Sequence, residues 1–447
     1  MTVSLFDSEL YGGLFSDREI VALLDDRARL RAMLDVEAAL ARVQGRLGVI
    51  PPEAAARIAE VAELLDLNPA ALAAGTASAG IPIPALVAAL REAVGAEAGP
   101  YVHWGATSQD IMDTGLVLRL RDLLDRLDRR LAGVIQSLAA LAEEHRSTVM
   151  AARTRSQQAL PTTFGLKAAG WALPLARHRE RLAQLRPRLL VVQFGGAAGT
   201  LAALGERGIE VMEALAGELD LAVPPAPWHS QRDGIAELAA WFALVTGSLG
   251  KIGDDLVLLA QSEVGEIALG FGGSSSTLPQ KTNPVAAEAL VTLARFNAGL
   301  LTPATEALVQ AQERGGAAWP LEWLTLPQMA AATGAALRLA AETLNGLVVD
   351  KARMTANLEA SRGLILAEAA SFALAEHMPL PEAQSLVKAA CTEVGLSSHH
   401  LMDLLAEKTD TPLDWASLRD PADYLGSADR LVDRVLAVLR ATADRNS

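Results

Sequence analysis

The chain lacks most of the features that mark disulfide-stapled or metal-binding proteins. It has one cysteine, Cys391, in 447 residues, which excludes a disulfide framework and a cysteine-based metal site. Aromatic residues make up only 4% of the chain, against 51% hydrophobic residues overall. The core must therefore consist mainly of Ala, Leu and Val, which favours close-packed helices over sheets.

Positive charge and long apolar runs are also scarce. The formal net charge is −14, which argues against nucleic acid or an anionic membrane as a partner. The most apolar run, near residues 189–204, is interrupted by Gln193 and several glycines, so no membrane span is expected. The first residues lack the basic and then apolar pattern of a signal peptide. We therefore expect a cytoplasmic protein without a membrane partner.

Two stretches with apolar residues four and three positions apart predict long helices. The first runs from 114 to 145 and the second from about 238 to 259. This spacing is typical of a seam that packs against neighbouring, nearly parallel helices. Further helices are expected over residues 17–47, 162–186, 285–302 and 326–345. Prolines and glycines break the rest of the chain into short helices.

These patterns predict an all-α fold of three helical domains. An N-terminal domain is expected over 1–105, a central long-helix bundle over 106–345, and a C-terminal domain over 346–447. One small bundle cannot cover helices of this length on all sides. We therefore expect subunits to associate through the central helices.

Residues 272–284 read Gly-Gly-Ser-Ser-Ser-Thr-Leu-Pro-Gln-Lys-Thr-Asn-Pro and carry the strongest functional pattern. Glycines allow close approach of the backbone to a ligand and expose N–H groups that bind anions. The serines add hydroxyls that can exchange protons, and Lys281 adds a positive charge. This combination suits carbanion chemistry next to a carboxylate, whereas a solvated linker would not need the Pro-x-Lys-x-Asn-Pro that follows.

The same stretch resembles the active-site loop of the fumarase/aspartase superfamily, Gly-Ser-Ser-x-Met-Pro-x-Lys-x-Asn-Pro. The positions in register are Pro279, Lys281, Asn283 and Pro284. The resemblance makes Ser275 the catalytic serine. Ser274 is the alternative, because Gly273-Ser274-Ser275 also reads as Gly-Ser-Ser. Leu278 replaces the motif's Met, which is a volume-conserving apolar change.

His103-Trp-Gly-Ala-Thr-Ser-Gln-Asp110 lies directly before the first long helix. Thr107, Ser108 and Asp110 are good helix-capping residues, and a helix N-terminus also binds anions, so both interpretations are open. The segment resembles the His-x-Gly-x-Thr-Ser-x-Asp of the adenylosuccinate lyase branch, in which the Thr-Ser pair holds the acid groups of the substrate. By this resemblance Thr107 and Ser108 bind substrate, and His103 is a proton relay or an orienting group.

Residues 153–163, Arg-Thr-Arg-Ser-Gln-Gln-Ala-Leu-Pro-Thr-Thr, are either a polar turn before a helix or a carboxylate-binding segment. Arginines suit bidentate recognition of carboxylates. The segment resembles the superfamily's Arg-Thr-His-x-Gln-x-Ala-x-Pro-Thr, so Arg153, Thr154 and Gln157 are expected to bind substrate. Arg155 stands where the superfamily has a general-acid His, and a guanidinium cannot donate a proton near neutral pH. We expect Arg155 to bind substrate instead.

Three shorter segments agree with the superfamily. Trp228-His-Ser-Gln-Arg-Asp233 resembles a Gln-x-x-x-Arg-Asp pattern, and Glu313-Arg314 matches a Glu-Arg pair. Gln193-Phe-Gly-Gly-Ala-Ala-Gly-Thr200 is similar to a Ser-Gly-Ala-x-Gly-Thr stretch, although a tight turn before a helix explains it equally well. Arg232 and Arg314 are therefore expected to join the basic pocket that an anionic substrate requires in an acidic protein.

The resemblance implies reversible addition across a C=C bond next to a carboxylate, without metal or organic cofactor. Because a carboxylate departs without being protonated, Arg155 favours the superfamily's cycloisomerase branch, which closes a tricarboxylate to a lactone. The superfamily also implies a homotetramer whose active sites are shared between subunits. The alternatives are an adenylosuccinate lyase-like enzyme and a non-catalytic helical scaffold.

Overall fold

The computed structural model describes residues 4–270, 273–274 and 277–444. The predicted all-α fold is confirmed, since helices dominate this part of the chain and the strands in it are short. In chain order the α-helices are α1 (Gly12–Phe15), α2 (Arg18–Val21), α3 (Asp26–Arg46), α4 (Pro52–Leu64), α5 (Pro69–Ala79), α6 (Ile83–Val94), α7 (Ser108–Glu144), α8 (Phe164–Leu189), α9 (Gly208–Glu218), α10 (Asp233–Leu259), α11 (Val285–Glu306), α12 (Trp319–Asn345), α13 (Lys351–Glu359), α14 (Ala367–Ala375), α15 (Leu380–Leu396), α16 (Leu401–Lys408) and α17 (Ala428–Asp444).

The strands within the described residues form antiparallel pairs. They are β1 (Val149–Thr154), β2 (Gln157–Thr163), β3 (Ile267–Leu269), β4 (Gly273–Ser274), β5 (Thr282–Asn283) and β6 (Leu347–Val349). β1 pairs with β2, β3 with β6, and β4 with β5. The sequence analysis did not predict strands, and the helix that it expected from residue 162 begins at Phe164 instead.

Both predicted apolar seams are buried except at Leu141 of α7, which is half-buried. Along α7, Leu120, Leu124, Leu127, Leu131, Val134 and Leu138 are all 0% exposed. Along α10, the seam residues Leu238, Phe242, Val245, Leu249, Ile252, Leu256 and Leu259 are at most 4% exposed. Complete burial of a leucine side chain contributes roughly 1.5–3 kcal/mol, so these two rows are a principal source of stability.

The single helix expected over 17–47 is wrong in one respect, because the chain forms α2 and then α3. The Asp25 side chain accepts a hydrogen bond of 2.8 Å from Ala28 N, and Asp17 caps α2 in the same way. An aspartate in extended conformation satisfies N–H groups that a continuous helix would bond elsewhere. A new helix therefore begins after Asp25.

The chain divides into two compact units, each made of three segments. The first unit comprises Met1–Arg130, His178–Gly247 and Thr292–Arg338, and the second comprises Leu131–Arg177, Ser248–Val291 and Leu339–Ser447. Every division falls within a long helix, namely α7, α8, α10, α11 or α12. The three consecutive domains with boundaries near 105 and 345 stay a prediction.

Each unit has an apolar core of its own. In the first unit a cluster built on α3 to α6 includes Leu34, Ile58 and Leu90, all at most 1% exposed. In the second unit a cluster built on α13 to α16 includes Leu374 and Leu405, both 0% exposed. Two helices are also apolar enough to cross a membrane by length and composition alone. The core helix of a protein without any membrane passes the same test, and 56% of the apolar window of α10 is buried.

Gly253 of α10 marks a close helix crossing in the second unit. A Cβ atom at this position would lie 2.5 Å from the backbone oxygen of Ala287 and 2.9 Å from Leu290 Cβ. We expect Gly253→Ala to lower the free energy of unfolding by about 1–3 kcal/mol, because the two backbones must separate. Urea denaturation measures this change.

Gly247 in the same helix is the matched control, because a Cβ there would meet nothing within 4 Å. Gly247→Ala should leave stability unchanged or raise it by about 0.5–1 kcal/mol, since alanine loses less backbone entropy in a helix. Equal losses in both variants would contradict the crossing as the cause.

Candidate active site

The predicted site residues fall into two sets, one in each unit. The first unit contains His103, Thr107, Ser108, Arg232 and Arg314. The second unit contains Arg153, Thr154, Arg155, Gln157, Ser274, Ser275, Lys281 and Asn283. The contacts of each set are described within its own unit.

In the first unit a buried carboxylate joins three of the segments that the sequence analysis singled out. Asp110 is 0% exposed, so its charge requires partners inside the protein. Its five partners are Thr107 N at 3.0 Å, Gln193 Nε2 at 3.2 Å, Gly195 N at 2.9 Å, Gly196 N at 2.9 Å and His229 Nε2 at 2.7 Å. One side chain therefore holds residues 107, 193–196 and 229 together.

Gly196 is a position in this network that requires glycine for its backbone conformation. Its φ is +69°, and a Cβ atom there would lie 3.1 Å from the carbonyl oxygen of Gly105. Glycine allows both the left-handed backbone and the close approach. The backbone of the 193–200 stretch is therefore packed against the segment that carries His103, and a functional role for this stretch stays a prediction.

The N-terminus of α7 carries the predicted Thr-Ser pair. Among the described residues, neither the Thr107 nor the Ser108 hydroxyl has a hydrogen-bond partner, so both can bind a ligand. Arg314 lies beside them, because its Nε donates to Gln109 Oε1 at 2.8 Å and its Nη2 to Ala197 O at 3.3 Å. Free helix N–H groups, hydroxyls and a guanidinium form an arrangement suited to a carboxylate.

His103 lies one turn before this helix in a strained conformation. Its φ is 65°, which is unfavourable for a residue other than glycine and frequent at functional sites. Its Nδ1 lies 2.6 Å from Oε1 of Glu37, which is 1% exposed. Burial lowers the pKa of His103, but the charge and hydrogen bond of Glu37 and the charge of Asp110 raise it above its ordinary value overall. The protonated form of His103 is therefore favoured, and this form can donate a proton.

Arg232, predicted to bind substrate, has a different environment from the one expected. Its side chain is 1% exposed and lies 4.7 Å over the Trp228 ring. It donates to both oxygens of Asp113 at 2.6 and 3.0 Å, and to both oxygens of Glu322 at 2.8 and 2.5 Å. Buried carboxylates need such a partner. We interpret Arg232 as support beneath the site, not as a substrate ligand.

In the second unit the predicted arginine segment is a β-hairpin. Thr154 pairs with Gln157, so Arg155 and Ser156 form a two-residue turn. Their φ values of 51° and 64° match a type I′ turn, which normally takes Asn or Gly. The turn places the Arg155 side chain at an exposed tip, and Thr154 and Gln157 are exposed beside it.

Arg153, near the turn of the same hairpin, does not present a free charge. Its Nη1 and Nη2 donate to the two oxygens of Glu266 at 2.8 and 2.7 Å, and Glu266 is 0% exposed. The bidentate pair satisfies the buried carboxylate and orients the guanidinium. Its role in substrate binding stays a prediction, and in this unit its partner is a protein carboxylate.

The Ser-rich loop begins and ends in the short pair of β4 and β5. Gly273 lies opposite Asn283, and Ser274 lies opposite Thr282, so residues 275–281 form the connection. Ser275 lies outside the described residues, and the choice between Ser274 and Ser275 stays open. Lys281 is exposed and Asn283 is half-buried. Within the described part of the chain, neither Lys281 nor Arg155 has a carboxylate partner.

The sequence analysis missed the carboxylates that hold the predicted basic groups. Glu37, Glu266 and Glu322 lie 66, 113 and 90 residues from the groups they bind. Each lies in a stretch that is otherwise apolar or helical, where a lone glutamate carries no motif. No group of three or more His, Cys, Asp and Glu that could hold a metal occurs among the described residues.

We predict that Glu37 sets the pH range over which His103 is protonated. Because Glu37 raises the pKa of His103, the pair stabilises the fold fully below the ordinary imidazole pKa of 6.5 and loses this effect as pH rises through the raised pKa. Glu37→Gln should shift the alkaline limb of kcat/KM to lower pH. Glu60→Gln, which removes an exposed partner of Arg57, is the control. An unchanged limb would exclude His103 as the titrating group.

Two family models and several known proteins match this chain. The family model described as "Lyase" matches residues 16–297, and the model described as "Adenylosuccinate lyase C-terminus" matches residues 363–435. The 3-carboxy-cis,cis-muconate cycloisomerase of Bradyrhizobium diazoefficiens is 45% identical over 96% of this chain and 98% of its own length. The enzyme of the same name from Pseudomonas aeruginosa is 46% identical over 96% of each chain.

A solved structure extends the likeness to three dimensions. The crystal structure of 3-carboxy-cis,cis-muconate lactonizing enzyme from Pseudomonas putida superposes with a TM-score of 0.92, at 41% identity. The match covers 98% of this chain and 100% of that chain. The chain therefore belongs to the fumarase/aspartase superfamily of lyases, in the branch whose curated relatives are 3-carboxy-cis,cis-muconate cycloisomerases.

Proposed function

We propose that the protein is a 3-carboxy-cis,cis-muconate cycloisomerase, which closes this tricarboxylate to 4-carboxymuconolactone. The observation that carries the proposal is Arg155 at the exposed tip of the β1–β2 hairpin, where the wider superfamily has a proton-donating His. Relatives at 45% and 46% identity over nearly the whole chain support it. The enzyme acts without a metal or organic cofactor in this proposal.

Arg155 suits lactone chemistry because the group that attacks or leaves is a carboxylate. In the forward reaction one substrate carboxylate oxygen bonds to an alkene carbon, and the adjacent carbon takes up a proton. In reverse, the carbon–oxygen bond breaks and the carboxylate departs with its electron pair. It needs no acid, so a permanent cation serves better than a His by orienting the carboxylates.

The negative charge that builds up next to the other carboxylate requires donors already in place. The exposed cations Lys281 and Arg314, the Asn283 amide and the Thr107 and Ser108 hydroxyls are of the required types. Prearranged donors of this kind contribute about 3–4 kcal/mol each to lowering the barrier in other enzymes. They also explain how an acidic protein binds a trianion, since the positive charge is local.

In this proposal Ser275 delivers the proton and the solvent restores it. A serine hydroxyl is a weak acid and base by itself, so its alkoxide depends on the nearby cation of Lys281. This dependence couples the two residues. Ser274 is the alternative donor, because the motif can be aligned one residue earlier.

We infer that the protein forms a homotetramer through its long helices, with active sites shared between subunits. Only 28% of the apolar window of α11 is buried within one chain. Leu244 and Leu258 of α10 are each 46% exposed. Apolar helix surface on this scale is unfavourable in water, and further copies of the same chain would cover it. The cytoplasmic location stays a prediction.

We predict that Ser275→Ala lowers kcat at least 100-fold while substrate binding changes little, because the proton donor acts in the transition state. The measurement follows loss of the ultraviolet absorbance of 3-carboxy-cis,cis-muconate, with lactone identified by mass and NMR. Ser274→Ala is the matched control and should retain most activity. The opposite pattern would assign the role to Ser274.

The same assay on wild-type protein distinguishes the cycloisomerase from an adenylosuccinate lyase-like enzyme and from a non-catalytic scaffold. Cleavage of adenylosuccinate without lactone formation would support the lyase alternative. Binding of the tricarboxylate without turnover of either compound would support the non-catalytic scaffold.

We predict that Arg155→Met raises KM by about 10–100-fold, with a smaller change in kcat. The variant removes a charge-assisted hydrogen bond worth about 1.5–3 kcal/mol from the substrate while it keeps the length of the side chain. Steady-state kinetics over a range of substrate concentrations measure the effect. An unchanged KM would show that Arg155 does not contact a substrate carboxylate.

A further inference from the structure

Glu266 is a buried carboxylate that no motif in the sequence marks. It lies directly before β3 and is 0% exposed. Arg153 Nη1 and Nη2 donate to it at 2.8 and 2.7 Å, and Asn357 Nδ2 donates to its Oε1 at 2.9 Å. A charge buried this deeply is stable only with such partners. The positions of the three side chains therefore depend on one another.

The three residues of this cluster belong to three different parts of the second unit. Arg153 is at the end of β1, two residues before Arg155 at the hairpin tip. Asn357 is in α13, and its Nδ2 also donates to Val264 O at 2.9 Å. Glu266 leads into β3, which leads into the Ser-rich loop. The cluster therefore joins the turn end of the hairpin to the strand that precedes the Ser-rich loop.

The backbone of Glu266 is held as firmly as its side chain. Its N–H donates to Leu259 O at 3.0 Å, and its carbonyl accepts from Asp350 N at 3.0 Å. β3 then pairs with β6 from Ile267 to Leu269. Movement of Glu266 would therefore displace both the start of β3 and the turn end of the hairpin.

We propose that Glu266 is a positioning residue, which acts through Arg153 to hold the turn end of the Arg155 hairpin and β3, the strand before the Ser-rich loop, in one fixed arrangement. This inference rests on the proposed function, because it gives the two segments their roles. It also gives Arg153 a role, because the paired guanidinium anchors the hairpin. Arg155 at the tip of the hairpin then binds the substrate. Misplacement of a reacting group by 1 Å can cost about 100-fold in rate.

Kinetics of Glu266→Gln test the proposal, because this change keeps the size of the side chain and removes its charge. We expect kcat to fall about 100-fold and KM to rise less than tenfold. Asp433→Asn is the control, since Asp433 is an exposed carboxylate that pairs with Arg146 in the same unit and that makes no described hydrogen bond with Glu266 or Arg153. A lower melting temperature with unchanged kcat and KM would overturn the proposal, because it would show a structural role alone.

A double-mutant cycle with Arg153→Gln tests whether Glu266 acts through Arg153. The double variant should lose no more activity than the more impaired single variant, since both changes break the same pair. Independent, multiplicative losses would contradict the proposed route.

Hydrogen exchange tests the positioning role without any activity. In Glu266→Gln, exchange should become faster in residues 149–163 and 266–284 and stay unchanged in α15. Unchanged exchange in both segments would overturn the positioning role. Wild-type protein that fails to lactonise the tricarboxylate would instead overturn the proposed function. The exchange result would still test whether Glu266 holds the two segments in place.

Discussion

The structure depends on carboxylates that are buried and must be satisfied by donors from distant parts of the chain. Besides the N–H of Thr107, Asp110 has four partner groups from two distant segments, and Glu266 accepts from a hairpin and a helix. An unpaired buried charge would cost several kcal/mol. The chain therefore has few ways to arrange these segments, and the candidate site residues inherit their positions from this constraint.

The same constraint divides the basic residues into those that are paired with buried carboxylates and those that are exposed. Arg153 and Arg232 are paired with buried protein carboxylates, so their positive charge is already compensated within the protein. Arg155, Lys281 and Arg314 are exposed and can meet the carboxylates of a ligand. Each exposed cation acts on a nearby anion at short range, whereas salt screens the negative net charge of the protein at longer range.

Sequence patterns predicted the parts of the fold that depend on local periodicity. The seams of α7 and α10 were identified from their spacing, because an apolar residue every three or four positions faces one side of a helix wherever the helix lies. The split at Asp25 and the β1–β2 hairpin were missed. Both depend on which partner a polar side chain or backbone group finds, and neighbouring residues alone do not define that partner.

The sequence by itself determined the helical class, the superfamily and the chemical types available at the site, including the departure at Arg155. These follow from residue identity and short-range spacing. Only the tertiary structure decided which basic groups are already paired, that Glu37 holds His103, and that Glu266 joins the hairpin to the strand before the loop. These contacts span 66 to 113 residues of chain, and nothing local encodes a contact that exists only after the chain has folded.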